Sequence, residues 1–233
     1  MRHGQSIGNV NKSHYATIPD YALQLSPVGE KQAQDVGTNI LSKITEELGT
    51  RFYISPYWRT RQTYLNIVRQ FNHKNISFYE DVRLMEQNWG HLRNSNLTDK
   101  MEEYRDNYGS FYYRFDHGES VADVFVRVSD FMGTMFRDFE KDDFPGNVVI
   151  ITHGMTMRAF LMRFFHMSVE EFEELKNPRN CEYYELELQS NDKYILTSPL
   201  RKHIVKHDFQ FPMSDDDKKY FKYPHKLLYD NKS

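Results

Sequence analysis

The chain has 233 residues, 39% hydrophobic and 15% aromatic, enough to bury one substantial core or at most two small ones. A net charge of -3 gives no bulk attraction for nucleic acid or an acidic membrane, and no apolar run is long enough to span a bilayer. No basic stretch leads into an apolar one as in a secretory signal, and the single cysteine, Cys181, cannot form an internal disulfide and reads as a small inert side chain. The expected setting is the cytoplasm.

The first nine residues, MRHGQSIGN, hold two glycines that let the backbone turn tightly and approach a ligand. Arg2, His3, Ser6 and Asn9 offer donors suited to an anion, although the stretch reads equally well as a polar, disordered terminus. Ser26 and Pro27 predict a helix start, and Val28, Ala33, Val36, Ile40, Ile44 and Leu48 continue it at near-helical spacing. FYIS at 52 to 55 predicts a strand, WRTRQTYLNIVRQF at 58 to 71 a helix, and ISFYE at 76 to 80 a second strand. From Ser120, the residues Val121, Val124, Phe125, Val128, Phe131, Met132, Met135, Phe136 and Phe139 recur at three and four and predict an amphipathic core helix. NVVIIT at 147 to 152 is a continuous apolar run ended by His153 and Gly154, as expected of a strand buried on both faces, and MRAFLMRFF predicts the helix that follows. This alternation argues for an α/β layer structure with a mostly parallel sheet.

Open α/β sheets place ligands at the carboxyl ends of their strands. Ser55 to Arg59 follow one predicted strand, Glu86 comes shortly after another, His153 ends the third, and Arg2-His3 would join them if a strand preceded it. Guanidiniums and imidazoles of this kind suit a dianionic phosphate. One imidazole can attack phosphorus while a carboxylic acid protonates the departing oxygen.

Four motifs carry a resemblance to a known family. RHGQSIGN is similar to the Arg-His-Gly signature of the histidine phosphatase superfamily, also called phosphoglycerate-mutase-like. SPYWRTRQT at 55 to 63, MEQNWG at 85 to 90 and THGMTMR at 152 to 158 resemble, in order and spacing, its Ser-Pro-x-x-Arg-Thr-x-Gln-Thr turn, its acid loop and its second histidine turn. His153-Gly154, in place of His-Asp, resembles the mutase and small-molecule phosphatase branch. YGSFYYRFDHGESVADVFVRV at 108 to 128 looks like a segment of the phosphoglycerate-mutase-like proteins of plants and fungi, a likeness that fades after about residue 190.

The resemblance implies a three-layer α/β/α fold with an insert after the acid loop. The expected domain covers residues 1–199, with the insert at about 92–118 and a tail at 200–233 packed on the domain or on a partner subunit. It implies that His3 is the nucleophile, its other ring nitrogen donating to a backbone carbonyl, and that Arg2, Asn9, Arg59 and His153 form the phosphate pocket. Glu86 is the implied proton donor, with Glu80, Asp81 and Glu119 close enough in sequence to compete, and Ser6 orients the loop. Arg105, Tyr108 and Arg114 are candidate specificity residues at the mouth, although the aromatic insert around them is equally readable as core. No cofactor or metal is expected: His14, His73, His91 and His117 have no ligand spacing. The tail mixes eight Lys or Arg and five Asp with aromatics, a composition better suited to packing than to stacking nucleobases.

The expected partner is a small phosphorylated substrate, with neither nucleic acid nor membrane, and the oligomeric state is left open. Three functions fit: a phosphatase for a small phosphomonoester acting through phosphohistidine, a mutase moving phosphate within a sugar acid, and a non-catalytic phospho-ligand-binding protein. Mutases of the family carry adjacent arginines after the acid loop, where YYRFDHGES offers only Arg114, so phosphatase is preferred. The resemblance also places a hydrophobic strand ahead of Arg-His-Gly, between the strand ending at His153 and one near Tyr183 to Leu188. Only Met1 precedes Arg2 here, so further upstream residues are expected in the native chain; if Met1 is the true start, the neighbouring strands must close up or borrow a segment such as the C-terminal tail.

Overall fold

The structure, a computed structural model, describes residues 1–71, 75–90, 103–105 and 107–203. Three parallel strands, β1 (Thr50–Ile54), β2 (Ile76–Glu80) and β3 (Asn147–Ile151), form a sheet in the order β2-β1-β3. β1 registers Phe52 against Phe78 on one side and Val149 on the other. Before β1 lie two single-turn helices, α1 (Ile7–Val10) and α2 (His14–Thr17), and then α3 (Pro27–Leu41). α4 (Trp58–Val68) joins β1 to β2, α5 (Val121–Phe139) precedes β3, and α6 (Gly154–Phe164) and α7 (Val169–Glu174) follow it.

Side-chain alternation divides the apolar groups between two helical layers. Phe52, Ile54 and Ile151 pack with Ala33, Val36 and Ile40 of α3 and Ile67 of α4. Tyr53, with Val148 and Ile150, faces the opposite layer of Val124, Val128 and Phe131 from α5 and Ala159 and Phe160 from α6. The result is a three-layer α/β/α arrangement. Ser120 caps α5 in a reciprocal capping box with Asp123, as the serine before that apolar stripe predicts.

Two expectations are corrected. α3 ends at Leu41, seven residues before Leu48: Val28 at its start and Leu48 beyond its end are exposed, so the buried stripe is shorter than the apolar spacing implies. β3 is not buried on both faces, for Val148, Val149 and Ile150 are only partly covered. Its edge away from β1 borders a cleft of about 570 Å³ that reaches across to Tyr183 and Leu186. Residues 1 to 3 pair at the end of this edge: the Thr152 amide donates to the Met1 carbonyl at 3.0 Å and the His3 amide to the Thr152 carbonyl at 3.0 Å. On the far side the Arg2 amide donates to the Glu182 carbonyl, and the Cys181 amide to that of His3. Of the segment from Tyr183, Leu186–Leu188 forms β4 and pairs antiparallel with β5 (Tyr194–Leu196) in a separate ribbon.

The start of the tail returns to the domain, with Lys202 bridged to Leu175 and the His203 amide bonded to the Glu174 carbonyl. The rest of the tail, His73, His91 and much of the insert lie outside the described residues. Within the insert, Phe111 and Phe115 are buried in the core, whereas Tyr108 and Tyr112 are exposed.

Two glycines set the closeness of the first loop to α3. A side chain on Gly29 would collide with the Gln5 carbonyl, and one on Gly4 with the Gly29 carbonyl. Gly29→Ala should therefore cost about 1–3 kcal/mol through overpacking, and Ser120→Ala about 1 kcal/mol through loss of the cap; urea denaturation of both variants checks the ranking.

Candidate active site

The strands deliver four segments to one end of the sheet. His3 follows the Arg2 bridge to Thr152, Ser55 follows β1, Glu86 follows the turn after β2, and His153 follows β3. α4 and α6 both begin there, so their amide-rich N-termini add a field suited to an anion.

His3 and His153 are both buried, with ring centroids 5.1 Å apart. His3 Nδ1 lies 2.7 Å from the Gly4 carbonyl oxygen, which must accept its proton, so Nε2 carries the lone pair. Arg59 Nε donates to that Nε2 at 3.2 Å. His153 Nε2 meets Ser55 Oγ at 2.8 Å, while its Nδ1 is buried without a protein partner. Burial, reinforced by Arg59 and Arg2, holds the His3 imidazole well below the usual histidine range; burial and Arg59 do the same for His153.

The Arg-Thr-x-Gln-Thr turn now has a physical reading. Thr60 Oγ1 donates to the Ser55 carbonyl, Gln62 Oε1 accepts from the Leu25 amide, and Thr63 Oγ1 accepts from the Gly4 amide. One helical turn thus fastens the end of β1 and the loops carrying Asp20 and His3, while Arg59 points inward. The Arg59 guanidinium lies over the Tyr57 ring at 4.8 Å, and Tyr57 meets the His153 ring edge to face, with centroids 5.0 Å apart.

Glu86 is half-buried, its oxygens accepting from the amides of Met155 at 3.4 Å and Thr156 at 3.3 Å, directly after His153. Its charge reaches Arg2, Tyr15 and Tyr57. The competing carboxylates are engaged elsewhere: Glu80 with Arg61, Asp81 with Arg83, and Glu119 with Arg127. Arg2 donates from Nη1 to the Pro178 carbonyl at 2.6 Å, and its Nε is buried without a partner. Ser6 is buried and caps α1. Asn9 is exposed, its Oδ1 accepting from the Ser6 amide and from Asn180, which also donates to the His3 carbonyl.

The structure brings together Arg2, His3, Arg59, Glu86 and His153, but divides the specificity candidates. Arg114 is tied to Asp123 and the Gly118 carbonyl, Tyr108 is exposed beside Tyr113, and Arg105 lies within electrostatic reach of Arg158, a buried guanidinium on α6. Asp20, Tyr15, Tyr57 and Asn180 surround the site without having been singled out by sequence. Cys181 is a buried thiol pushed up to about 12 by burial, consistent with an inert side chain. Among the described residues, no group of three or more His, Cys, Asp or Glu side chains is placed to hold a metal ion, and no helix is long and apolar enough to cross a membrane.

Residues 1–199 match the sequence pattern of the histidine phosphatase superfamily (branch 1). The chain belongs to this superfamily. It is 38% identical over 209 residues to the Arabidopsis thaliana phosphoglycerate mutase-like protein AT74H, an alignment covering 83% of this chain and 74% of that protein. It is 39% identical over 208 residues to AT74 of the same plant, covering 84% of this chain and 66% of that protein. The broad-range acid phosphatase DET1 of Saccharomyces cerevisiae is 27% identical over 295 residues, with 87% and 88% covered. A mycobacterial glucosyl-3-phosphoglycerate phosphatase shares the fold with a TM-score of 0.65 at 20% identity, over 84% of this chain and 94% of that one.

Neutral burial of both imidazoles gives this superfamily member a pH signature. The unfolded chain takes up protons on these histidines as pH falls through about 6.5, whereas the folded chain resists uptake until well below that value. Their contribution is therefore complete above that pH and is lost as pH falls toward the folded values. The urea midpoint should fall between pH 7 and pH 5, and less steeply in a His3→Asn/His153→Asn double variant; equal slopes would contradict neutral burial.

Proposed function

We propose that the chain is a phosphatase hydrolysing a small phosphomonoester through a phosphohistidine on His3. The observation that carries this reading is the His3 ring, neutral by burial, its Nδ1–H fixed on Gly4 and its Nε2 lone pair facing the Arg59 guanidinium. An incoming phosphate takes over the Arg59 donor, freeing the lone pair to attack phosphorus in line. The N–P bond forms as the ester P–O bond breaks, and Arg2, Arg59 and His153 hold the equatorial oxygens. Glu86, beside His153 on the α6 amides, gives a proton to the leaving oxygen. It then takes one from the water that attacks the phosphohistidine, which releases phosphate and restores His3. This mechanism uses protein groups alone, and we place the enzyme in the cytoplasm, acting without metal.

Hydrolysis is supported by a relative named as a broad-range acid phosphatase. Within the chain, the pairing of Arg114 with Asp123 favours the same choice, since it engages the one arginine of YYRFDHGES that could grip a substrate carboxylate. Substitution of His3 by Ala should abolish release of phosphate from any phosphomonoester, and activity persisting in that variant would end the phosphohistidine reading. Glu86→Gln should slow an alkyl phosphate by about 100-fold or more while sparing p-nitrophenyl phosphate, whose leaving group needs no proton; equal losses on both would move the acid role to another group. With 3-phosphoglycerate and a bisphosphoglycerate primer, phosphate release should outrun isomer formation.

A further inference from the structure

Arg59 is 3% exposed, and its hydrogen bonds divide by edge. Nη1 donates to the Asp20 carbonyl at 2.6 Å and to Asp20 Oδ1 at 2.9 Å, and Nη2 reaches Oδ2 at 3.4 Å. Both protons of Nη1 are therefore spent on one residue, along the end of the fork. The side edge, Nε with the second proton of Nη2, is turned toward His3, where Nε caps the lone pair. A guanidinium can present either edge to a phosphate, and which one it presents fixes where phosphorus sits relative to the nucleophile.

Asp20 is itself well anchored. It opens a short 3-10 turn, Asp20–Ala22, in which the Ala22 amide donates to the Pro19 carbonyl; the next residue, Leu23, donates its amide to the Asp20 carbonyl and is fully buried. Its side chain is 31% exposed, so its charge is incompletely screened. It also contributes to the electrostatic surroundings of Tyr15 and Tyr57, the two rings flanking the site. A carboxylate one guanidinium away from a phosphate pocket repels a dianion.

We propose that Asp20 is a positioning residue for Arg59, with two effects on the proposed phosphatase reaction, on which this inference rests. Its oxygens hold the end of the guanidinium so that the side edge meets the phosphate at His3. Its negative charge offsets part of the Arg59 charge and lowers the affinity of the pocket for the phosphate product, so that phosphate leaves after each turnover.

The two effects separate in two substitutions. Asp20→Asn keeps an oxygen acceptor for Nη1 and removes the charge, whereas Asp20→Ala removes both. Isothermal titration with inorganic phosphate should show Asn binding about fivefold tighter or more than the parent chain, and turnover of p-nitrophenyl phosphate should give a kcat for Ala about tenfold lower or more, largely restored in Asn. A role limited to holding the loop would weaken phosphate binding in both variants, so the sign of the change is decisive. Unchanged or weaker phosphate binding in the Asn variant, with a parental thermal midpoint, overturns the charge effect, and parental kcat in the Ala variant overturns the positioning effect. Absence of His3-dependent turnover in the parent chain would instead overturn the phosphatase reading, while the phosphate titration still tests the charge of Asp20.

Discussion

Everything at the site depends on keeping two adjacent imidazoles neutral inside a cluster of positive charge. His3 and His153 touch edge to face, fully buried, with Arg59 and Arg2 close enough to oppose protonation of either. A protonated pair there would combine desolvation with like-charge repulsion. Neutrality fixes the tautomer in turn. Once the Gly4 carbonyl claims the Nδ1 proton of His3, only Nε2 can present a lone pair, and it points at the guanidinium that would hold a transferring phosphoryl group.

That geometry is held by backbone bonds that converge on the loop bearing His3. Its amide bonds to the Thr152 carbonyl at the end of β3, its carbonyl accepts from Cys181 and Asn180, and the next amide, that of Gly4, bonds to Thr63 of α4. Close packing of Gly4 on Gly29 adds the first turn of α3. The loop is thus fixed by four separate parts of the chain, so the position of His3, the proposed nucleophile, follows from the packing of the whole domain, as a preorganised site requires.

Much of this was legible in the sequence because it follows from periodicity and punctuation. Ser26-Pro27 and Ser120 mark helix starts, ISFYE and NVVII mark strands of which the second feeds both apolar layers, and the four motifs fall at strand or helix ends. What was not legible depends on pairing across space. Val28 and Leu48 keep helical spacing with the core residues of α3 and still face solvent, because spacing cannot say where the packed layer stops. β3 reads as doubly buried from its composition, but burial of a strand also needs a neighbour along its whole edge. Arg114 stands among aromatic residues in sequence, while the carboxylate it pairs with is nine positions away in the capping box of α5. Asp20 left the weakest trace: Pro-Asp reads as an ordinary turn, and nothing local shows that a guanidinium 39 residues later rests on it.

The same positive charges serve the resting and the reacting site in opposite ways. At rest, Arg59 and Arg2 discourage a proton on His3, keeping its lone pair present at pH values where an ordinary histidine is half protonated. In the proposed reaction those guanidiniums would face a dianion in place of a potential cation, and their effect would change from suppressing a charge on the ring to stabilising charge on the transferring oxygens. Positive charge alone would also hold the product, and a pocket that binds phosphate tightly turns over slowly however well it attacks. A carboxylate resting on the far edge of Arg59 addresses that conflict without entering the phosphate position, because it weakens the net charge of the guanidinium while leaving its inward donors in place.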